Sequence, residues 1–180
     1  MFGQPKLNGS NCTIFTNRKE LHIMNRHNER LTNFKIDKDE IFSILDSDNW
    51  VAINGEYLNK NQLDENKKEF NHKLVLFDIL VLDSTYLLGK TFRERINIIY
   101  DKFGTKESEK DYLYKISDNI FSVKTYEKDF LNLYNEFTKV DLLEGLVLKR
   151  SNAKLEPGLR EDNNSKSQVK SRKQTKNYKF

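Results

Sequence analysis

Apolar residues recur along the chain at two spacings, one close to two residues and one close to four, and the alternation between them sets out the predicted elements. Thr13 to Thr16 and Leu21 to Met24 alternate in polarity on either side of Asn17-Arg18-Lys19, which predicts a hairpin following directly on Lys6-Leu7-Asn8-Gly9. Lys6 then sits at a strand entrance. Ile41, Ile44 and Leu45 fall at helical spacing after Asp37 and Asp39, so a short helix capped by one of these aspartates is expected. Trp50 to Ile53 reads as a strand that ends in an Asn54-Gly55 turn, with Glu56 just beyond it, and the polar stretch 59–71 reads as a loop. Lys73 to Leu82 is apolar on both faces, as a central strand requires, and Asp83-Ser84 ends it.

Downstream, Phe92, Ile96, Ile99 and Phe103 share one helical face, and Phe130, Leu133, Tyr134 and Phe137 share another within Tyr126 to Thr138. A polar loop from Gly104 to Lys110 and a strand around Ile120 to Val123 lie between them. Leu142 to Lys149 predicts a strand opened by Glu144-Gly145, and after a turn-rich stretch Gln168 to Arg172 predicts a last short one. Strands that carry polar motifs, separated by helices, predict an α+β class with a mostly antiparallel sheet.

At 180 residues the chain has room for one domain, without visible repeats or an interdomain linker. The apolar fraction is 37%, or about 41% with the seven glycines, against a usual ~45–50%. Twelve Phe and eight Tyr nevertheless supply large buriable surfaces that a disordered chain lacks. Leu74 to Leu82, the longest apolar run, is broken by Asp78 and falls far short of the ~20 residues that span a bilayer. No membrane partner is expected. Met1 to Ser10 has no apolar stretch of the secretory kind, and the single Cys12 cannot form an internal disulfide, so a cytoplasmic, reducing compartment is expected.

The net charge of +4 is uneven. From Lys149 onward ten basic residues face three acidic ones, so segment 149–180 carries +7 and the remainder −3. This asymmetry suits a phosphate-bearing partner and equally suits a solvated Lys-rich tail. Asp78 is different in kind, because a carboxylate within an apolar run costs several kcal/mol unless a donor or cation meets it. Either it has such a partner, or it lies at a sheet edge or caps a loop.

Taken one at a time, Lys6, Glu56 and Glu144 are ordinary surface residue types. Their order carries more: Lys6-x-Asn8-Gly9-Ser10-Asn11, then Asn54-Gly55-Glu56, Leu76-Phe77-Asp78-Ile79, Glu144-Gly145-Leu146-Val147-Leu148-Lys149, and Val169-Lys170-Ser171-Arg172. The series resembles the nucleotidyltransferase motifs shared by ATP-dependent DNA ligases, RNA ligases and mRNA capping enzymes, and it covers nearly the whole chain. Gly9-Ser10-Asn11, which lacks the Arg that DNA ligases usually place shortly after this glycine, is similar to the RNA ligase 2-like group, as is the position of Arg26.

The resemblance implies a ligase adenylation domain over 1–180, ATP-grasp-like in fold, without an OB-fold or other C-terminal domain. It implies an ATP-dependent RNA ligase that forms a lysyl-AMP intermediate on Lys6 and transfers AMP to a 5'-phosphate before sealing. A free lysine, with pKa ~10.4, is protonated at neutral pH, so nearby positive charge and a metal must help to bare its amine. Lys170 and Arg172 would supply that charge and bind the triphosphate. Glu144 would ligate Mg2+ or Mn2+, whose hard character demands oxygen ligands. Glu56 would bind the ribose or a metal-bound water, Phe77 would stack on the adenine, and Asn11 and Arg26 would contact phosphate or ribose. Asp78 would orient Lys6 or a basic partner, while Lys149, Arg150 and the tail would track the polynucleotide backbone. Tyr178 and Phe180 are expected to pack under the sheet rather than stack on bases.

Asn8 stands where the family has Asp, or His in some RNA ligases, and Arg172 where it has Lys. Only five residues precede Lys6, so the chain reads as minimal, either a fragment or a domain that calls on a partner protein to position ends. The alternatives are a DNA ligase adenylation domain, a guanylyltransferase that uses GTP, and a non-catalytic nucleotide- or RNA-binding remnant.

Overall fold

A computed structural model describes residues 1–59, 61–157 and 166–173. Tyr178, Phe180 and much of the basic tail lie outside these residues. The α+β class is as expected, and the strands divide into two sheets. The larger sheet has the order β3 (Leu21–Asn25), β2 (Ser10–Thr16), β4 (Val51–Leu58), β5 (Lys73–Leu82), β8 (Ile120–Val123) and β7 (Leu113–Lys115), with β6 (Thr85–Tyr86) paired to the end of β5. All its pairings are antiparallel except β5 with β8. The smaller sheet has the order β1 (Phe2–Leu7), β9 (Leu143–Lys149) and β10 (Gln168–Arg172), antiparallel throughout.

Among the described residues, three helices lie between strands. Helix α1 (Lys38–Ile44) is capped by Asp37, whose carboxylate accepts the Asp39 N–H. Helix α2 (Phe92–Phe103) opens with a reciprocal Thr91–Glu94 capping box and buries Phe92, Arg95, Ile96 and Ile99. Helix α3 (Phe130–Phe137) packs against β9. Among the described residues, no helix is long and apolar enough to cross a membrane.

Three local readings need correction. Lys6 is near the end of a strand, β1, that the sequence conceals behind Gly3 and Pro5. Asn54-Gly55 is no turn, because β4 continues to Leu58 and carries Glu56 in mid-strand. Strand β7 falls in a stretch for which no element was expected. The core is a single cluster that includes Ile14, Ile53, Tyr57, Leu74, Leu76, Ile79, Ile96 and Ile99. The chain passes from the small sheet to the large one through Asn8-Gly9, which sets the end of β1 against the face of β2 and β4.

Candidate active site

Register in the small sheet gathers the first group. Lys6 pairs with Gly145 on one side of β9 and Arg172 pairs with the same Gly145 on the other. Pairing between β1 and β9 then steps from Lys6↔Gly145 to Leu7↔Leu143, so Glu144 is the extra residue of a bulge, a device that re-aims a side chain. Its carboxylate meets the Lys6 ammonium, and the Arg172 Nε lies 3.8 Å from the same oxygen. All three side chains keep some access to solvent, 14% for Lys6, 27% for Glu144 and 26% for Arg172, as a ligand-binding group must. Gly145 permits this geometry: its φ is 143°, and a Cβ there would stand 2.2 Å from the Ser171 carbonyl oxygen. Lys170 is two residues along β10 from Arg172, on the same face.

The second group lies on the large sheet. Glu56 Oε1 accepts the Gly9 N–H at 3.1 Å, which ties the crossover to β4. A Cβ on Gly9 would stand 2.5 Å from the Tyr57 carbonyl oxygen, so this crossing needs a glycine. Asn11 pairs with Glu56 across β2 and β4, and Thr13 pairs with Asn54, so these four share one face. Asn8 is half-buried and donates its N–H to the Leu142 carbonyl at 3.0 Å. Cys12 points the other way, and burial beside Glu56 pushes its thiol up to about 12, which leaves it without a thiolate at neutral pH.

The third group is aromatic. Pairing of β4 with β5 steps from Asn54↔Asp78 to Gly55↔Leu76, leaving Phe77 as the extra residue of a second bulge. The half-buried Phe77 ring lies 5.0 Å from the Lys149 Nζ, which is itself 4.3 Å from the Phe92 ring centre. Asp78 does not orient Lys6, nor is it at an edge. Its two oxygens accept from the Arg95 Nε at 2.8 Å and Nη2 at 2.9 Å, and Oδ1 also accepts the Ile79 N–H at 2.8 Å. Arg95 was missed in the sequence, although it falls among Phe92, Ile96 and Ile99 on the buried face of α2, where a cation calls for a buried anion.

Arg26 lies one residue beyond β3, level with Asn11 by register, and is exposed with its Nε donating to His27. No described contact brings it to Lys6 or Glu144. Arg150 is exposed where the chain leaves β9. Among the described residues no group of three His, Cys, Asp or Glu could hold a metal alone. Glu144 and Glu56 fit Mg2+ in another way, since that ion commonly takes one or two carboxylates and completes its shell with phosphate oxygens and water.

A family model described as the ATP dependent DNA ligase domain matches residues 1–168. The chain belongs to this family. Mycobacterial DNA ligase D complexed with ATP and MES superposes with a TM-score of 0.64 at 16% identity, over 95% of this chain and 54% of that one. A structure described as Pmar-Lig_Pre gives 0.67 at 16% over 96% and 42%, and a Lig E DNA ligase gives 0.56 at 16% over 96% and 61%. At such identities the likeness establishes the ligase adenylation fold. The chain spans about half the length of these structures. A search of curated proteins finds no match.

Proposed function

We propose that this chain is the nucleotidyl-transferring unit of an ATP-dependent polynucleotide ligase, with Lys6 as the nucleophile. The observation that carries the reading is the convergence of Lys6, Glu144 and Arg172 about Gly145. Without ATP, the Glu144 carboxylate pairs with Lys6. A divalent cation, Mg2+ or Mn2+, held by Glu144 and the triphosphate, would withdraw charge from the α-phosphate. With its carboxylate turned toward such a cation, Glu144 would no longer counter the charge on Lys6 while Arg172 stays close, and adjacent positive charge would favour loss of the ammonium proton to solvent water. The Lys6 Nζ then forms a bond to the α-phosphorus as the bond to pyrophosphate breaks, giving a phosphoramidate. Lys170 and Arg172 bind the departing phosphates, Glu56 and Asn11 the ribose, and Phe77 stacks on the base.

The AMP passes to a 5'-phosphate oxygen, restoring the Lys6 amine, and a 3'-hydroxyl displaces AMP to seal the strand. The family match supports DNA ends over the RNA ends that Gly9-Ser10-Asn11 suggests. Contacts from Arg150 and the basic tail to the backbone would weaken steeply with salt. End positioning falls to a partner or to further sequence.

The test is incubation with α-labelled ATP or GTP. Acid-labile label from ATP alone, lost in Lys6→Ala and nearly lost in Glu144→Ala, is the expected result, followed by sealing of nicked DNA in preference to nicked RNA. Preference for RNA nicks would restore the RNA ligase reading, and label from GTP would make the chain a guanylyltransferase. ATP binding without an adduct would leave a nucleotide-binding remnant.

A further inference from the structure

The face that carries Glu56 continues along β4 to a side chain that no role above uses. Asn54 is two residues from Glu56, about 7 Å along the strand, and both face the same way. It stands opposite Thr13 on β2 and opposite Asp78 on β5, beside the bulge that projects Phe77. The Thr13 hydroxyl donates to the Asn54 Oδ1 at 2.7 Å, a normal O–H···O length. That bond fixes the amide: its oxygen is taken, and its NH2 group, half-buried, has no protein partner among the described residues. The Asp78 carboxylate opposite it is engaged with Arg95 through both oxygens and makes no bond to the amide. Farther along the strands, a hollow of about 230 Å³ is lined by Phe15, Ala52, Val81 and Tyr86, and Asn54 itself is half-buried.

We infer that Asn54, oriented by Thr13, selects adenine by donating to N1 of the base. The inference deepens the proposed function and rests on its placing of the base against Phe77. A base stacked there with its ribose at Glu56 would lie beside the pair formed by Thr13 and Asn54. Adenine offers an acceptor at N1, whereas guanine offers an N–H. An amide that presents only donors pairs with the first and leaves two donors facing each other with the second. Such a mismatch discriminates because a desolvated donor is left unpaired. Thr13 is a positioning residue; without it the amide can turn its oxygen outward.

The test is a cycle between one side chain and one atom of the ligand, read as equilibrium binding so that no chemistry is required. ATP and 1-deaza-ATP, which lacks N1, are titrated into the full chain and into Asn54→Ala. Loss of N1 is expected to weaken binding to the natural chain about 3- to 10-fold, the range of one neutral hydrogen bond, and binding to Asn54→Ala less than 2-fold. Equal penalties in both would overturn the inference. Should Asn54→Ala fold poorly, the isosteric Asn54→Asp serves: its carboxylate presents only acceptors, so the preference should swing from ATP toward GTP, and an unchanged preference refutes the role. Thr13→Val should narrow the ATP-to-GTP ratio while leaving affinity for ribose triphosphate nearly intact, and a ratio equal to that of the natural chain counts against Thr13 as its orienter. Binding with the expected cycle but without adduct on Lys6 would remove the ligase reading and leave this one standing; no ATP binding at all would remove both.

Discussion

Replacing Arg95 with Met should be among the most destabilising single changes in this chain. The Arg95 and Asp78 side chains are 6% and 9% exposed, and the guanidinium makes two bonds to the carboxylate and a third, from Nη1, to the Lys90 carbonyl at 2.8 Å. Arg95→Met removes all three and leaves an Asp78 carboxylate satisfied by one backbone N–H alone. Stranding one member of a buried pair costs roughly 3–5 kcal/mol, a third or more of the stability of many domains. Asp78→Leu strands the cation and should cost a similar amount. Because the penalty comes from the unpaired charge, Asp78→Leu with Arg95→Met should cost less than either single change, giving a favourable coupling larger than the ~3–5 kcal/mol cost of one change. Urea denaturation of the four proteins, followed by far-UV circular dichroism, measures the cycle. Two single substitutions that each cost under about 1 kcal/mol, or a double whose cost is their sum, would refute the reasoning.

Gly145→Ala places a Cβ 2.2 Å from the Ser171 oxygen at a φ of 143°. It should cost on the order of 1–3 kcal/mol, push β10 and Arg172 away from Lys6, and reduce adduct formation at least ~10-fold in protein still folded by circular dichroism. The buried Lys110–Asp64 pair, at 2.6 Å, predicts a stability plateau in pH. Burial opposes the ionisation of Asp64, but the bond from Lys110 and the N–H groups of Lys68 and Asn66 outweigh it and hold the carboxyl below its usual range. That contribution is complete above the unfolded value near ~3.9 and is lost as pH falls through the folded one. Burial likewise opposes the charge on Lys110, and Asp64 with Glu65 outweighs it, so this contribution is complete below ~10.4 and is lost as pH rises through the raised value. Urea midpoints measured from acid to alkali should therefore be steeper at both ends than those of Lys110→Met. Thr91→Ala, which removes the α2 cap, should cost about 1 kcal/mol by the same assay.

Elements whose periodicity and burial agree were legible in the sequence. Strand β5, helix α2 and strands β8 and β10 begin and end where their apolar patterns do. Strand β1 was not legible because Phe2–Leu7 contains Gly3 and Pro5, which read as turn residues. It forms because β1 is an edge strand paired with β9, with a single bridge from Gly3 to Tyr126 on its other side, where a missing N–H is tolerated. Asn54-Gly55 imitates a hairpin turn, yet Gly55 is a strand residue closely approached by Leu74 and the Val75 carbonyl. Motif order identified the family, and register accounts for part of why the motifs exist: Gly9 and Gly145 are positions where a side chain would strike backbone. The partner of Asp78 depended on how α2 docks on β5, which no local pattern encodes.

Strand β9 acts as a ruler. Glu144 at one end reaches Lys6, and Lys149 at the other rests between Phe77 and Phe92, about 17 Å away at the rise of an extended strand. A rigid rod thus joins the end where phosphorus would react to the end where a heterocycle would rest, so the separation does not depend on any loop. Deleting one residue between them would shorten the rod by about 3.4 Å and swing Lys149 toward α3, disabling both ends at once. Length in this strand should therefore be far less negotiable than the identity of the apolar residues that fill it.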